Sequence, residues 1–370
     1  MSPAKLLPFV MIVCVGILEG CGPGPTPLLE RPPTRTPMPS TSSSPPQATA
    51  NLQRVCITGE PCVRVYDPAL ACNGTTLLSD VHDDKRMRLF EVDMAGEIVW
   101  QYSIPQELVH GAPVGLDAEL LDNGNILFTL SSSGVYEIDR MGTIVWSHTD
   151  PQVSHDADRL PSGDTLYVFG NGDKRDDVQV KQVDPSGNLV WSWRAQDHFN
   201  SAPYVSIDRQ GWTHINSVTR IRDGNTLVSL RNFGLTVELD VQGNVVWQID
   251  WTDLYETDDP RGLDPHEPEL LPDGHVLVCL QWEAPYQVVE IDRAADQSIW
   301  EYHRDDFRTC RDADRLPNGN TLIVGVLEDR DEAVVFEVTP EKEIVWELTL
   351  HDTPVGHHPG WFFKAQRICP

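Results

Sequence analysis

Short apolar runs separated by polar turns recur from about residue 70 to the end of the chain. Each unit opens on a turn of the form Pro/Asp-x-Gly-Asn, followed by a β-branched run. A second strand ends in Glu-(Ile/Leu/Val)-Asp, and the unit closes on Gly-x-(Ile/Val)-Val-Trp. No unit carries the period of an amphipathic helix, which excludes a helical solenoid. Four short strands in roughly 40–60 residues are typical of one propeller blade.

The number of units follows from two markers that alternate along the sequence without exception. The opening glycines are Gly74, Gly124, Gly163, Gly224, Gly274 and Gly319. The closing tryptophans are Trp100, Trp146, Trp191, Trp247, Trp300 and Trp346. We therefore expect an all-β fold, a six-bladed β-propeller over residues 51–370. Six tryptophans in one register predict packing between blades rather than a platform for a ligand.

The strands of one unit can be placed from its pattern. In the third unit, the predicted strands are residues 155–160, 164–169, 178–183 and 188–193. Residues 361–368 look like a last strand, and residues 63–70 could supply another. We expect one of them to complete a blade with strands from both termini, because a closed ring leaves only short edges exposed.

The first 50 residues differ in composition from the repeats. Residues 1–20 are typical of an export signal, with an apolar run too short to span a bilayer. The run ends at a site that resembles a bacterial lipobox, with Cys21 as the lipidated first residue of the mature chain. An ordinary secretory signal is the alternative. Residues 21–50 are rich in Pro, Ser and Thr and predict a disordered tether. We expect an exported protein, lipid-anchored to a bacterial membrane on its periplasmic or cell-surface side.

Net charge narrows the range of partners. The chain has 56 acidic and 28 basic residues, a formal net charge of −28 at pH 7. Such a surface repels nucleic acid and anionic lipid, so we expect no nucleic-acid partner and membrane contact through the lipid alone. A local cationic pocket can still hold an anion, because salt screens distant charge over about 8–10 Å. The sequence leaves the oligomeric state open.

The cysteine count fits an exported protein. Of eight cysteines, one would leave with the signal and Cys21 would carry lipid. The other six permit disulfides, whose pairing a sequence does not fix. Cys56 and Cys62 could close a small loop. Cys72 and Cys369 lie near the two ends of the folded region and could pin its closure.

Polar residues are expected to converge on one mouth of the propeller channel. The first strand of a blade is innermost, and a tight hairpin returns the second strand to the same face. Eight residues before the hairpin glycine lie, in units two to six, Leu116, His155, Asn216, His266 and Arg311. His214 lies two residues before Asn216, hence on the same side of a strand, and Arg231 follows across the hairpin. The predicted mouth therefore holds His155, His214, Asn216, Arg231, His266 and Arg311.

These residue types point to the transfer of a tetrahedral anionic group. Neutral histidine can be a nucleophile, a general acid or base, or a metal ligand. Arginine offers a planar fork of donors that suits sulfate or phosphate oxygens. Two alternatives stay open: a non-catalytic propeller that binds a partner or small ligand at this mouth, and a metal-dependent hydrolase using the three histidines. Any single histidine, taken alone, is better explained as a hydrogen-bonded channel liner.

Four segments resemble the core motifs of the arylsulfotransferase (aryl-sulfate sulfotransferase) family. They are residues 212–218 (Trp-Thr-His-Ile-Asn-Ser-Val) with 229–232 (Ser-Leu-Arg-Asn), residues 155–163, and residues 364–368. The resemblance covers roughly residues 70–370. It implies transfer of a sulfuryl group from an aryl sulfate ester to a phenolic acceptor through a transient sulfohistidine. It also implies phenols and aryl sulfates as partners, with no metal and no organic cofactor.

The resemblance also implies roles for individual residues. His266 matches the histidine that is sulfated, and His155 matches an acid or base for the phenolic oxygen. His214, Asn216 and Arg231 match residues that hold the sulfate and the oxygens of donor and acceptor. A Phe-Asp-Asn-Gly-like run often follows the family's nucleophile, yet the similar run here, residues 169–172, follows His155. The nucleophile is therefore left open between His266 and His155.

Overall fold

Antiparallel β-strands make up most of the regular structure in the computed structural model. It describes residues 56–82, 86–110, 115–256, 263–281, 287–328, 332–354 and 362–370. All of these fall within one unit of the chain, Arg54–Pro370. Within the described ranges, helical structure is limited to α1 (Trp251–Leu254) and short 3₁₀ turns at Gln106–Leu108, Ala195–Asp197, Tyr204–Ser206 and Arg231–Phe233.

The strands are short and follow one another closely. The first twelve are β1 (Pro61–Tyr66), β2 (Thr75–Asp80), β3 (Arg88–Asp93), β4 (Ile98–Ser103), β5 (Ala118–Leu120), β6 (Ile126–Leu130), β7 (Gly134–Ile138), β8 (Ile144–Thr149), β9 (Ala157–Arg159), β10 (Thr165–Val168), β11 (Val180–Val183) and β12 (Leu189–Trp193). The rest are β13 (Ile215–Arg220), β14 (Thr226–Leu230), β15 (Leu235–Leu239), β16 (Val245–Asp250), β17 (Asp264–Leu270), β18 (Val276–Gln281), β19 (Val288–Asp292), β20 (Gln297–Tyr302), β21 (Phe307–Arg315), β22 (Thr321–Leu327), β23 (Glu332–Val338), β24 (Ile344–Pro354) and β25 (Phe362–Ile368).

These strands pair into six sheets, which are the blades of a six-bladed β-propeller. Blade one has the order β25-β2-β3-β4 from the channel outward. Blades two to five are β5–β8, β9–β12, β13–β16 and β17–β20, and blade six is β21–β24 with β1 as a fifth, outer strand. The predicted fold class is confirmed. In the third blade the observed strands lie inside the predicted ranges, and the inner strand starts two residues later than predicted, at Ala157.

The ring closes through strands from both ends of the chain, as predicted. The C-terminal β25 pairs with β2 and is the inner strand of blade one, while β1 pairs with β24 in blade six. The expectation that Gly74 opens a hairpin like the other five glycines is wrong, because the inner strand of its blade comes from the opposite terminus. Gly74 is required for another reason: a Cβ there would lie 2.0 Å from the carbonyl oxygen of Ile368.

Disulfides reinforce this closure. Cys72 and Cys369 are bonded, with Cα atoms 5.9 Å apart, at the junction where a hairpin would join the first two strands of blade one. Cys56 is bonded to Cys62, as the sequence allowed. A third disulfide, Cys279–Cys310, joins β18 of blade five to β21 of blade six. No spacing in the sequence indicated that third pairing.

Apolar clusters fill the spaces between neighbouring blades, one cluster at each of the six interfaces in the described residues. At the closing interface, Val324 and Trp346 of blade six pack with Leu78 and Phe90 of blade one and with Phe362 of β25. Each blade therefore buries its faces only against its neighbours, so the core is complete only when the ring is closed.

Each closing tryptophan lies under an arginine of the next blade, with its ring centroid 4.3–5.4 Å from the guanidinium carbon. The pairs are Trp100–Arg140, Trp146–Arg159, Trp191–Arg220, Trp247–Arg293, Trp300–Arg315 and Trp346–Arg367. Five of these arginines also form an ion pair with a glutamate of the tryptophan's own blade, namely Glu91, Glu137, Glu238, Glu290 and Glu337. The predicted packing of the tryptophans between blades is confirmed.

The predicted signal over residues 1–20, the lipidated Cys21 and the tether over residues 21–50 lie outside the described residues. Among the helices of the described part, none has both the length and the apolarity that a bilayer crossing requires.

Removing the closing disulfide should destabilise the fold more than removing the short-loop disulfide. Cys72 and Cys369 are 297 residues apart, whereas Cys56 and Cys62 are 6 apart. In the chain-entropy model the corresponding losses are about 6 and about 2 kcal/mol. Urea unfolding of the double variants C72S/C369S and C56S/C62S under oxidising conditions measures both. Equal losses would contradict the closing role.

Candidate active site

Side chains of four inner strands meet at one end of the channel. The ring centroid of Phe363 on β25 lies 6.0 Å from that of His155 and 6.4 Å from that of His266. The guanidinium carbon of Arg311 lies 5.8 Å from the same ring. His155, His266 and Arg311 are thus brought together as the sequence predicts. Leu116, at the equivalent position of blade two, belongs to the apolar core instead.

Irregular pairing in the inner strands makes this convergence possible. In a regular strand, successive side chains point to opposite faces. The ladder of β17 shifts register between His266 and Glu269, and Glu267 has φ 39°. Comparable shifts occur in β13 and β21 beside Asn216 and Arg311. A bulge re-aims a side chain, so His266 and Glu267 both reach the channel although they are adjacent in sequence.

His214 reaches the site by a route that the sequence does not reveal. The prediction that it shares a strand with Asn216 is wrong, because β13 begins at Ile215 and His214 has φ 47°. The carboxylate of Asp173 accepts hydrogen bonds from the backbone N–H groups of residues 212–214 at 2.9–3.2 Å, which holds this uncommon backbone conformation. The ring of His214 lies 4.9 Å from that of His155, centroid to centroid.

Arg231 is held in place by a buried carboxylate. It follows β14 in a 3₁₀ turn, and its Nε donates to Oδ2 of Asp264 at 2.9 Å. Arg209 donates to both oxygens of Asp264 at 2.9 and 2.8 Å. One carboxylate thus orients two guanidinium groups. Neither Nη of Arg231 donates to an acceptor within the described residues, so both suit an anionic ligand.

Burial lowers the pKa of all three histidines. The pKa of His155 falls to about 3, because burial and then the nearby Arg231 and Arg311 disfavour the imidazolium form. The pKa values of His214 and His266 also lie well below the usual range, with burial as the main cause and neighbouring positive charge adding to it. The three rings are therefore neutral near pH 7, each with a nitrogen lone pair.

Several polar atoms of the site have no hydrogen-bond partner among the described residues. They are Nδ1 of His155, Nδ1 of His266, and both amide atoms of Asn216. His214 differs, because its Nδ1 lies 2.9 Å from the carbonyl oxygen of Gln210 and must donate to it. Nε2 of neutral His214 is therefore an acceptor. Unpaired buried polar atoms in a cationic recess indicate a site for a polar, anionic ligand.

A second layer of the channel is acidic around one lysine. Nζ of Lys364 lies 3.2 Å from Asp117, 3.4 Å from Glu267 and 3.6 Å from Asp156. Burial raises the pKa values of Asp156 and Glu267 well above their usual range, and Lys364 opposes that rise. Lys364 follows Phe363 on β25, so the ammonium separates the cationic site from the carboxylates beyond it.

Farther along the inner strands lies a third layer, which is acidic as well. A cavity of about 180 Å³ is lined by Glu119, Asp158, Asp314 and Gln366, with Lys364 at its edge. Burial raises the pKa of Glu119 to about 8 and the pKa of Asp314 well above its usual range. The channel is thus polarised, with cations and neutral histidines at one end and carboxyl groups at the other.

Metal-ligand geometry occurs elsewhere in the described chain. Within those ranges, Asp273, His275 and Glu290 bring three ligand atoms within 4.8 Å of one another, and the three site histidines belong to no such set. In three other blades an asparagine in the position of His275 donates to the glutamate that matches Glu290. His275 therefore replaces a structural asparagine in a turn, and the geometry does not favour a three-histidine metal centre.

Phe363 is a site residue that the sequence reading missed. A signal was present, because residues 365–367 (Ala-Gln-Arg) repeat the pattern of residues 157–159 (Ala-Asp-Arg) on β9. Aligning the two places Phe363 at the position of His155. Other supporting residues lie outside the repeated positions and carry no such signal; they are Asp173, Asp264 and Gln281.

The channel carboxyls should make stability fall as pH rises. Burial raises the pKa of Glu119 to about 8 and that of Glu269 to about 7, so between their unfolded and folded pKa values the folded state binds more protons than the unfolded state. Stability then decreases with pH. Below pH about 6.5 the buried histidines make stability rise with pH, because the unfolded state binds more protons there. The fall in stability caused by the carboxyl groups is therefore clearest between pH 7 and pH 9.

Thermal unfolding across that window tests the effect. We expect the Tm to fall from pH 7 to pH 9, and we expect E119Q to flatten the slope. Glu341 is exposed in the turn after β23, so E341Q is the matched control and should keep the wild-type slope. If E119Q left the slope unchanged, Glu119 would not be a cause of the fall in Tm with pH.

Two kinds of comparison place this fold among known proteins. No curated protein sequence matches the chain. A solved structure of a protein of unknown function from Bacteroides caccae is 17% identical, with a TM-score of 0.54, covering 75% of this chain and 94% of that one. A virginiamycin B lyase variant from Staphylococcus aureus, described as catalytically inactive and crystallised with quinupristin, is 11% identical, with a TM-score of 0.48 and coverages of 80% and 89%. The first likeness shows the fold alone, and the second carries no argument.

The family comparison is more informative. The model of the family described as arylsulfotransferase (ASST) matches residues 67–249. The matched range holds His155, His214, Asn216 and Arg231, while His266 follows it. The matched segment supplies part of the recess described above, with blades five and six completing it. Over residues 67–249, the chain is similar to the arylsulfotransferase family.

Proposed function

We propose that this protein transfers a sulfuryl group from an aryl sulfate ester to a phenolic acceptor through a sulfohistidine intermediate. The match to the arylsulfotransferase family over residues 67–249 supports aryl-sulfate sulfotransferase activity, with aryl sulfates and phenols as substrates. One observation carries the proposal: three neutral histidines share a buried recess with Arg231 and Arg311. The histidine lone pairs are available for attack, and the positively charged guanidinium groups attract the negatively charged sulfate ester.

In the first half-reaction, a nitrogen lone pair of His266 attacks the sulfur atom. The new N–S bond replaces the S–O bond to the phenolic oxygen, which leaves with the bonding electron pair. Arg231 and Asn216 donate to the sulfuryl oxygens, whose negative charge is stabilised in the transition state. The bound sulfate ester adds a negative charge beside His155, which raises the pKa of His155. His155 then takes up a proton from solvent as the substrate binds and gives it to the departing oxygen.

In the second half-reaction, the acceptor phenol takes the place of the leaving phenol. Its hydroxyl donates to a neutral histidine, for which His155 and the acceptor Nε2 of His214 are suited. The phenolic oxygen then attacks the sulfur, the N–S bond breaks, and its electron pair returns to His266. The proton taken from the acceptor replaces the proton given to the first product. Over the two half-reactions together, no proton is consumed or released.

We also propose that the protein is exported and anchored through a lipid on Cys21. Support comes from the signal-like residues 1–20 and from three disulfides in the described chain. Disulfides persist in oxidising compartments outside the cytoplasm. Recombinant protein for the tests below should accordingly be prepared with its disulfides formed.

Turnover of p-nitrophenyl sulfate with phenol present tests the proposed reaction. We expect release of p-nitrophenol and, without acceptor, a mass increase of one sulfuryl group that maps to His266. R231A should lower kcat/KM by at least about 100-fold, because it removes charge stabilisation of the sulfuryl oxygens. H303A, at a half-exposed histidine in blade five, is the control and should keep wild-type activity. An adduct on His155 would reassign the nucleophile, and wild-type protein without turnover or adduct would exclude the proposal.

Phe363 should contribute to binding of the aryl ring. Its ring lies between His155, His266 and Arg311, where an aromatic substrate can stack against it. F363L keeps most of the volume and removes the aromatic face. We expect KM for aryl sulfates to rise about 2- to 10-fold with kcat changed less, in line with one aromatic contact. Steady-state kinetics with a matched Tm measurement check this, and an unchanged KM would contradict it.

A further inference from the structure

Gln281 connects His266 to Arg311. It is fully buried at the end of β18, next to the strand that carries His266. Its amide oxygen accepts from Nη1 and Nε of Arg311 at 2.9 and 3.1 Å. Its amide nitrogen donates to Nε2 of His266 at 3.1 Å. The amide therefore contacts both neighbours with complementary groups.

Only one orientation of this amide satisfies its surroundings. A guanidinium group can donate hydrogen bonds but cannot accept them, so the oxygen of Gln281 must face Arg311. The nitrogen must then face His266, and Nε2 of His266 must be the acceptor. In a neutral imidazole the proton then lies on Nδ1, an atom with no partner among the described residues. Arg311 thus selects the tautomer of His266 through Gln281.

We propose that Gln281 is a positioning residue that keeps the lone pair of His266 on Nε2, which makes Nε2 the atom that attacks sulfur. This inference rests on the proposed function. When the N–S bond forms at Nε2, the S–O electron pair leaves on the phenolic oxygen and Nδ1 keeps its proton. The amide N–H of Gln281 no longer donates to Nε2 of His266 and can donate to a sulfuryl oxygen instead. Loss of Gln281 leaves the proton free to move to Nε2, which blocks attack from that atom.

Other charged and titratable groups surround His266, and the test must separate Gln281 from them. Arg311, Arg231, His155 and His214 approach from neighbouring blades. Asp264 and Glu267 lie on the same strand as His266. Asp264 forms ion pairs with Arg231 and Arg209, and Glu267 forms one with Lys364. Changing Gln281 alone leaves all these groups in place.

The variants Q281E and Q281L test the proposal, with Q287L as the matched control. A carboxylate at position 281 would accept a proton from Nε2, so Q281E should move the acid limb of kcat to higher pH by at least about one unit. Both changes at Gln281 should lower kcat at neutral pH by at least about 100-fold, with KM changed less than threefold. Gln287 is also buried in blade five, but it bonds the backbone of Arg304 and Phe307, so Q287L should retain wild-type kcat and pH profile.

Nitrogen NMR of histidine-labelled protein without substrate supplies a readout that does not depend on turnover. We expect His266, assigned by its loss in H266Q, to show an unprotonated Nε2 in the wild type and a protonated Nε2 in Q281E. A protonated Nε2 in the wild type, or a Q281E enzyme with the wild-type acid limb, would overturn the role of Gln281 while leaving the transferase proposal intact. Failure of the wild-type protein to form any sulfo-adduct would instead reject the proposed function, and the NMR measurement would still decide the tautomer.

Discussion

Closing the ring with a strand from the far end of the chain is the constraint on which the site depends. β25 pairs with β2, is fixed by the Cys72–Cys369 disulfide, and places Arg367 over Trp346 of blade six. The same strand carries Phe363 and Lys364 onto the axis. A ring opened at this seam would lose the aromatic ring that touches both His155 and His266, together with the lysine beside them. Fold closure and site assembly are therefore one event.

Burial is the main reason that the site histidines stay neutral, and the layered charge along the channel adds to it in a protein with a strongly acidic surface. Carboxylates close to His155 and His266 would favour the imidazolium form and remove their lone pairs. Lys364 pairs with Asp117, Glu267 and Asp156, and two of these carboxylates are the chain neighbours of His266 and His155. On the other side, Arg231 and Arg311 lower the histidine pKa values further. The acidic surface lies outside this local balance, because distant charges are screened.

The fold could be predicted from the sequence because every blade has the same turns and the same contacts with its neighbours. The glycines and tryptophans mark positions fixed by turn geometry and by blade-to-blade contact, and both recur in register. The site was predicted less completely. His155, His266 and Arg311 sit at repeated positions of inner strands, so alignment of the units found them. His214 was found for a wrong reason, since a left-handed turn rather than strand alternation aims it.

What the sequence could not show are contacts made by residues that occur only once. Asp173 holds the turn of His214, Asp264 orients Arg231, and Gln281 joins His266 to Arg311. Each partner is distant in sequence or follows an irregular segment, so neither period nor spacing reveals it. Bulges in the inner strands add to the difficulty, because they break the alternation on which strand reading relies.

Unpaired polar atoms in the recess favour the binding of a polar ligand. Both amide atoms of Asn216 and Nδ1 of His155 are buried without a partner in the described residues. A buried polar atom left unpaired costs about 1–3 kcal/mol relative to one that is hydrogen-bonded. A tetrahedral oxyanion offers acceptors on every side and a charge opposite to that of Arg231 and Arg311, so one ligand can satisfy the donors of several blades at once. The fold tolerates this cost because closure of the ring, with apolar clusters at all six interfaces, fixes the recess before any ligand enters. Affinity for the anion then arises from groups that are already in place, and little of it is lost in ordering them.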